Sequence, residues 1–463
     1  MNKIKVGLMC LYIKLYDDCK LQEIRDRSEA FYEKLAVALE GEGFEVVRNP
    51  ICCVKDEFQA CVDKFEAEGV QCMVTWHAAY SPSLESIDVL AATKLPIVVL
   101  DTTETYDFGP ASDPAEINMN HGIHGVMDMT NMLLRRGKAY AIAAGHYPNS
   151  DVIKKTAGLV RAAAGAVSLK GTKVGTIGGS FDGMGDFLIS DEELLETFGV
   201  TAVYAKGDEL TALRESITDE EIKAEIEYDN ANFNPISAIS AETHEKTERN
   251  CLAVRKWIEK EGLSAFTVNF REIRPENGLV VMPFVEASKA MARGVGYAGE
   301  GDVLTASITG ALMRGFPEAA FVEIFCPDWN NGSVCLSHMG EINLALTAQK
   351  PEIKEIPFVF GEADDPVVCY GCYKSGEAVF VNVYRDEEKY NMLISPVDML
   401  DNEGDKFQGT VRGWMKPRMP LGDFLEKISR AGVTHHSSLV YNATLEELEF
   451  FGKLLGLNVV IVK

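Results

Sequence analysis

The sequence has no long uncharged apolar run and no excess of basic residues. Residues 1–18, MNKIKVGLMCLYIKLYDD, contain a short apolar run that Lys14 and Asp17 interrupt, so this segment predicts neither a signal peptide nor a membrane-spanning helix. The 463 residues include 45 basic and 70 acidic side chains, which give a formal net charge of −25. Such a charge repels nucleic-acid phosphates and anionic lipids, and we therefore expect no nucleic-acid partner and no membrane partner.

A regular cysteine framework is also absent. The 11 cysteines are scattered along the chain, and a single CxxC motif runs from Cys369 to Cys372. A zinc site of the two-CxxC type needs a second such motif, so we favour a structural role for this pair over a redox or metal-binding role. Reduced thiols without an export signal predict a cytoplasmic protein.

Two glycine-rich segments lack the context of a nucleotide-binding loop. Residues 294–299 fit G-x-G-x-x-G, but the preceding piece, FVEASKAMAR, is of helical type, whereas a dinucleotide fingerprint follows a strand. Gly178-Gly179-Ser180 follows a strand-type run and is a candidate phosphate cradle, although its spacing matches neither a P-loop nor that fingerprint. We therefore expect no dinucleotide at residues 294–299.

The order of strand-type and helix-type segments predicts three domains. Up to about residue 324, apolar strand-type runs alternate with amphipathic helical stretches, which is typical of parallel sheets built from βαβ units. Beyond that point, short runs rich in β-formers follow one another without a long helix between them. The sequence thus predicts an α/β protein with two doubly wound, Rossmann-like domains, residues 1–169 and 170–324, and a mainly β, barrel-like domain, residues 325–463.

Residues 294–343 and one late histidine pair contain candidate metal ligands. Glu300 lies in a glycine-rich turn, Glu323 lies in the apolar strand-type run AAFVEIF, and His338 follows a further strand-type run. A carboxylate in an apolar run is costly to bury unless it is paired or binds a cation. His435 and His436 add imidazoles, and such a mixed set suits Mn²⁺. Residue types alone leave an alternative open, in which the two glutamates are solvated and His338 is a core histidine.

Four motifs in this order resemble the arabinose isomerase branch of the L-arabinose isomerase and L-fucose isomerase superfamily. They are Glu300-Gly301-Asp302 at a helix start, Glu323 on the next strand, Ser337-His338-Met339, and His435-His436. The resemblance implies a metal-dependent aldose–ketose isomerase, an intramolecular oxidoreductase that moves hydrogen as a proton or hydride between C1 and C2 of an open-chain pentose or hexose. It also implies Mn²⁺ as the cofactor, with Mg²⁺ or Co²⁺ as alternatives.

The same resemblance implies roles for individual residues. Glu300 and Glu323 would be catalytic and would bind the metal together with His338 and His436. Because neighbouring strand residues face opposite sides, we expect only one histidine of the late pair on the metal; the family pattern favours His436. The implied substrate contacts are His124, Met184, Phe270, His435 and Tyr12.

The resemblance further implies a homotrimer or homohexamer with active sites at subunit interfaces. The segment LYIKLYDD and the chain length depart from the family pattern, so the sugar stays open between an L-arabinose-like or other pentose, an L-fucose-like deoxyhexose and an anionic hexose derivative. Two other functions remain as alternatives. One is a non-catalytic cytoplasmic sugar-binding protein, and the other is a metal-dependent hydrolase that uses the same four ligands.

Overall fold

The apolar runs near the start of the chain form the strands of a parallel sheet. The computed structural model describes residues 3–463, which fall into two units, the first ending at Val167 and the second spanning Ser168–Lys463. The strands of the first unit are β1 (Lys5–Leu11), β2 (Glu45–Arg48), β3 (Cys72–His77), β4 (Ile97–Asp101) and β5 (Tyr140–Ala144). Its helices are α1 (Lys14–Asp18), α2 (Gln22–Gly41), α3 (Lys55–Ala67), α4 (Ser83–Ala92), α5 (Ile117–Asn120), α6 (Gly122–Arg135) and α7 (Val152–Leu169), which runs past the unit boundary.

The sheet of the first unit has the order β2-β1-β3-β4-β5, with all neighbours parallel. A hydrophobic core on one face joins the strands to α3, α4 and α6, and Phe58, Phe65, Leu90 and Met129 are fully buried in it. Parallel sheets need helices to cover their faces, and the amphipathic segments supply this cover. The predicted doubly wound α/β unit is therefore confirmed.

The second unit contains a parallel sheet and a larger, mainly β sheet. Its strands are β6 (Lys173–Ile177), β7 (Thr201–Tyr204), β8 (Asn234–Pro235), β9 (Ala265–Val268), β10 (Gly296–Gly299), β11 (Ala319–Asp328), β12 (Ser333–Leu336), β13 (Glu352–Glu355), β14 (Val367–Cys372), β15 (Gly376–Arg385), β16 (Tyr390–Met399), β17 (Val411–Pro417), β18 (His436–Tyr441) and β19 (Asn458–Ile461). Its helices are α8 (Asp191–Phe198), α9 (Gly207–Glu215), α10 (Asp219–Asn232), α11 (Ala241–Glu261), α12 (Phe284–Ala292), α13 (Val303–Gly315), α14 (Leu421–Ala431) and α15 (Leu445–Leu454).

Strand pairing confirms the α/β-then-β order of this unit. The parallel sheet has the order β10-β9-β6-β7, and the ten-stranded sheet has the order β19-β16-β15-β18-β11-β12-β17-β14-β13-β8. Because β16 pairs with β17 as well as with β15, six strands form a continuous ring of pairings. The two boundaries between the three predicted domains stay a prediction.

Three local features of the second unit depart from its general pattern. The segment 207–227 forms two helices, because Thr218 caps α10 with a capping box that Glu221 completes. The run FVF at 358–360 lies outside any strand, and the neighbouring strand is β13. The helix α14 within the β region was missed, although Gly432 ends it in the left-handed conformation that favours glycine. Within residues 3–463, no helix is both long enough and apolar enough to cross a membrane.

Candidate active site

The turn that carries Glu300 lies at the carboxyl end of the parallel strand β10, the edge where ligands of open α/β sheets gather. Glu300 has a backbone φ of 60°, which is uncommon for a residue other than glycine. The next residue, Gly301, has a φ of +83°, and a Cβ there would lie 2.2 Å from the carbonyl oxygen of Gly179. Such strain persists only where surrounding structure enforces it, and it is frequent at functional sites.

Strand pairing brings two further ligand candidates together. Glu323 on β11 and His436 at the start of β18 are direct partners across an antiparallel pair, so their side chains share one face. His338 follows β12, the other neighbour of β11, and the amide of Ser337 donates to the carbonyl oxygen of Glu323 at 3.1 Å. Residues distant in sequence therefore meet because β12 ends and β18 begins beside Glu323, which lies in the middle of β11.

The side chains of the four predicted ligands converge. Nε2 of His436 lies 2.9 Å from Oε2 of Glu300, and Nε2 of His338 lies 3.8 Å from Oε2 of Glu323. Two groups of potential ligand atoms, each within 4.8 Å, overlap at His436: one has Glu300 and His435, and the other has Glu323 and His338. The arrangement offers carboxylate oxygens and imidazole nitrogens in two adjoining groups that share His436.

Buried carboxylates orient both imidazoles from behind. Oε2 of Glu341 accepts from Nδ1 of His338 at 2.6 Å, and its Oε1 accepts from the hydroxyl of Tyr297 at 2.6 Å. Oδ2 of Asp302 lies 3.0 Å from Nδ1 of His436, while its Oδ1 accepts from the amide of Thr305 and caps α13. When such an imidazole is neutral, donation from Nδ1 to a carboxylate leaves the lone pair on Nε2, and this is the usual support of a metal-binding histidine.

The residues present fit a divalent cation. Nε2 of His338 is buried and has no hydrogen-bond partner among residues 3–463, although an orphaned buried polar atom is costly. A Cβ on Gly299 would lie 2.9 Å from this nitrogen and 3.9 Å from Nε2 of His436, so only glycine leaves room beside the two imidazoles. Mixed carboxylate and imidazole donors suit a borderline-hard ion such as Mn²⁺.

The two glutamates have different electrostatic environments. Burial raises the pKa of Glu323, and nearby histidines only partly offset it. For Glu300, burial acts in the same direction, but hydrogen bonds from His435 and His436 lower its pKa well below the usual value. Against the effect of burial, the hydrogen bonds that His436 donates to the carboxylates of Asp302 and Glu300 raise its pKa to about 10. Two carboxylates with pKa values pushed apart are suited to different acid–base roles.

The late histidine pair differs from the expectation for two neighbouring strand residues. Because β18 begins at His436, His435 precedes the strand and the alternation rule does not apply to it. Nε2 of His435 lies 3.6 Å from Oε2 of Glu300, and Asp186 accepts from its Nδ1 at 2.7 Å and its amide at 2.9 Å. Both imidazoles therefore face Glu300.

The loop after β6 packs against this cluster and contains Met184. The amide of Phe181 donates to the carbonyl oxygen of Glu300 at 2.9 Å, and the ring of Phe187 stacks on His436 at 5.1 Å with an interplanar angle of 10°. The ring of Phe270, which follows β9, lies 5.3 Å from that of Phe181. The structure thus places the predicted contacts Met184 and Phe270 in loops adjoining Glu300.

The remaining predicted contacts, Tyr12 and His124, belong to the first unit. Tyr12 follows β1; its hydroxyl is buried without a partner in the described part of the chain, and the guanidinium of Arg25 lies 5.5 Å from its ring centre. His124 is exposed in the first turn of α6, and its Nε2 lies 2.8 Å from Nδ1 of His121. His121 and His124 are joined to each other, as their spacing of three residues predicts.

A second cluster of acidic and histidine side chains lies in the second unit and already contains a cation. Atoms of Asp229, His244 and Glu248 lie within 4.8 Å of one another. The ammonium of Lys289 lies 2.5 Å from Asp229, 3.5 Å from Glu248 and 2.8 Å from Glu225, where it balances the buried carboxylates. This cluster is therefore a structural ion network that joins α10, α11 and α12.

Sequence reasoning missed several supporting residues. Glu341 stands three residues after His338, and this histidine–acid spacing is a weak signal that would have found it. Asp302 was placed at a helix start by its motif, but the contact of its Oδ2 with Nδ1 of His436 was not foreseen. Asp186 and Phe187 reach the late histidines across more than two hundred residues, and no local pattern indicates such a contact.

Three models of L-arabinose isomerase domains match the chain in order. The N-terminal domain model matches residues 1–171, the central domain model residues 193–314 and the C-terminal domain model residues 318–458. The chain is also similar to individual L-arabinose isomerases. That of Geobacillus thermodenitrificans is 24% identical over 90% of this chain and 86% of the relative. That of Shouchella clausii is 23% identical over 97% and 92%, and that of Halalkalibacterium halodurans is 25% identical over 97% and 92%.

Proposed function

The chain belongs to the L-arabinose isomerase family, and we propose that it is an aldose–ketose isomerase that acts on an open-chain pentose or hexose with a divalent metal ion bound by four side chains. L-Arabinose, the sugar in the names of its relatives, is the first substrate to test. The observation that carries the proposal is the pair of ligand groups that share His436, one with Glu300 and the other with Glu323 and His338, with buried carboxylates behind both His338 and His436.

Mn²⁺ is the proposed ion, and Mg²⁺ and Co²⁺ are alternatives with the same ligands. When bound, such an ion polarises a carbonyl and holds two neighbouring sugar oxygens. His338 and His436 would hold it through Nε2, and Glu300 and Glu323 through a carboxylate oxygen each. His435 would face the sugar, because its Nδ1 is already engaged by Asp186.

The two glutamates would share the acid–base work. Glu323 is the proposed proton carrier between C1 and C2, since burial raises its pKa and makes the protonated form accessible. Glu300 would remain anionic. It would accept hydrogen bonds from sugar hydroxyls and would balance part of the positive charge of the ion. The stacked ring of Phe187 and the loop containing Met184 would exclude water from one side of the sugar.

We also propose a homotrimer or homohexamer in which a neighbouring subunit contributes His124. The support is the division of the predicted residues between two units and the family to which the chain belongs. Near His124, the side chains of Ile117, Ile123 and Met127 are 51%, 47% and 65% exposed. Clustered exposed apolar side chains of this kind are typical of a surface that another chain covers.

Product analysis of the purified protein tests the proposal. After chelation and reloading with Mn²⁺, incubation with L-arabinose and a panel of other aldoses should form the matching ketose, and the metal-free protein should form none. Glu323→Gln should be inactive, whereas Glu318→Gln, a glutamate one residue before β11 that pairs with Lys374, should retain activity. Absence of any ketose from metal-loaded protein, or hydrolysis in its place, would reject the isomerase.

Running the reaction in D₂O separates two routes. Transfer of a proton by Glu323 should introduce solvent deuterium at the carbon that receives the hydrogen. A product without solvent deuterium would instead assign direct hydride transfer between the carbons and would remove the carrier role from Glu323.

A further inference from the structure

A chain of hydrogen bonds in the first unit reaches the exposed His124. These hydrogen bonds lie at the carboxyl edge of the parallel sheet. There β1 and β3 are neighbours, while β2 lies on the far side of β1. This is the topological switch point of such a sheet, at which ligands of doubly wound folds bind. Tyr16 follows β1, Tyr80 follows β3, and His121 and His124 belong to the beginning of α6.

The backbone amide of Tyr80 determines which atom donates and which accepts in this series of hydrogen bonds. It donates to Nδ1 of His121 at 3.2 Å, and an amide N–H can only donate. Nδ1 of His121 is therefore an acceptor, and a neutral His121 carries its proton on Nε2. That proton points to the hydroxyl oxygen of Tyr16, 2.7 Å away, and the hydroxyl hydrogen of Tyr16 is directed to Oδ1 of Asn118 at 3.0 Å.

The same nitrogen of His121 also determines which ring nitrogen of His124 carries the proton. Nε2 of His124 lies 2.8 Å from Nδ1 of His121, whose single lone pair the amide of Tyr80 also approaches, so a neutral His124 donates through Nε2 to this shared acceptor. Its other nitrogen, Nδ1, then keeps a lone pair. The edge of Tyr80 packs against the ring of His124 with centres 5.0 Å apart, which restricts rotation of the imidazole.

We propose that His121, Tyr16 and Asn118 are positioning residues that hold His124 as a hydrogen-bond acceptor, with Nδ1 presented to a hydroxyl group of the sugar. The inference rests on the proposed function, in which His124 contacts substrate. A polyhydroxylated substrate offers O–H donors, and a site that requires a donor discriminates against analogues in which the hydroxyl is lost. The chain of hydrogen bonds would thus make His124 a specificity-determining residue.

Solid-state NMR of the protein labelled with ¹³C,¹⁵N-histidine tests directly, and without any activity measurement, which ring nitrogens carry protons. The protein has eight histidines, and His121→Asn and His124→Asn assign the two resonance sets by their loss. At a pH where both rings are neutral, the inference requires Nε2–H on both and a ¹⁵N–¹⁵N correlation between Nε2 of His124 and Nδ1 of His121. A protonated Nδ1 on either ring, or no such correlation, overturns it.

Steady-state kinetics on the best aldose supply the second test. His121→Leu removes the acceptor, and KM should rise about three- to tenfold, the scale of one hydrogen bond, with little change in kcat. His121→Asn keeps an oxygen at the position of Nδ1 and should restore KM. If KM of His121→Leu matches that of the unaltered protein while ketose is formed, this inference fails and the proposed function stands; a protein that isomerises no aldose rejects the proposed function itself.

Discussion

Replacing Glu341 with glutamine should weaken metal binding while the fold is kept. Glu341 is 1% exposed, and its carboxylate accepts three hydrogen bonds: from His338 and from the amide of Gly340 on Oε2, and from Tyr297 on Oε1. In Glu341→Gln the amide oxygen can take the Oε2 position and keep two of these bonds. The amide nitrogen then faces the oxygen of Tyr297, whose hydroxyl can rotate to become the acceptor.

The main loss is therefore the negative charge beside Nδ1 of His338. Without it the imidazole is a weaker donor of its Nε2 lone pair and is less firmly oriented. Removal of such a carboxylate partner typically costs 10- to 100-fold in metal affinity, which corresponds to about 1.4 to 2.8 kcal/mol. We expect the Mn²⁺ dissociation constant of Glu341→Gln to rise by that factor.

Titration of metal-free protein with Mn²⁺, followed by the EPR signal of the free ion, measures the constant without reference to turnover. Tyr297→Phe removes one hydrogen bond to Glu341 and should produce a smaller change in the same direction. Tyr373→Phe is the matched control, since its buried hydroxyl donates to the backbone oxygen of Phe321 at 3.0 Å. Equal affinity in Glu341→Gln and the unaltered protein, with both folded by circular dichroism, would refute the role assigned to Glu341.

Three further outcomes are expected. Glu300→Gln and Glu323→Gln should each lower kcat at least about a hundredfold, measured on metal-loaded protein; a variant that stays active loses its catalytic assignment. Although burial opposes it, the neighbouring arginine and lysine lower the pKa of Glu225 to about 2. The contribution of Glu225 to the free energy of unfolding is therefore complete above the pKa of an unfolded glutamate, about 4.3, and is lost as the pH falls toward 2. The urea midpoint should fall over that range, and Glu225→Gln should flatten the fall; equal slopes would exclude Glu225 as the cause. Re-assembled mixtures of His124→Ala and Glu323→Ala should regain activity if subunits share sites, whereas no recovery after proven subunit exchange, or a monomer by light scattering, would reject sharing.

Local patterns predicted the fold because strand and helix formation depend mainly on near neighbours. The alternation of apolar strands with amphipathic helices gave both parallel sheets, and the capping box of Thr444 and Glu447 at the start of α15 is another signal carried by near neighbours. The helix α14 was missed since a region rich in β-formers suggested strands throughout. Its sequence, LGDFLEKISRA, places Leu421, Phe424 and Ile428 at helical spacing, and these three residues are buried.

The sequence identified the four proposed ligand positions, but it did not identify the residues that orient their side chains. Glu300, Glu323, His338 and His436 carry ordered motifs, and the structure brings them together, while their metal and catalytic roles stay predictions. Their supporting partners depend on contacts that only folding creates. Asp186 meets His435 because two separate loops converge, and residue type alone gives no indication of this. The strand rule failed for His435 because it needs the strand boundary, which sequence patterns locate least reliably.

The pairing of Glu323 with His436 has a consequence for the order of events during biosynthesis. His436 is synthesised more than a hundred residues after Glu323, an interval on the order of ten seconds at typical translation rates. During that interval the nascent chain already exposes two glutamates and His338, yet β18 does not exist and the antiparallel partner of β11 is missing. Under the proposed function, the four ligands would be complete only when β18 inserts between β11 and β15, and capture of the ion would be a late step.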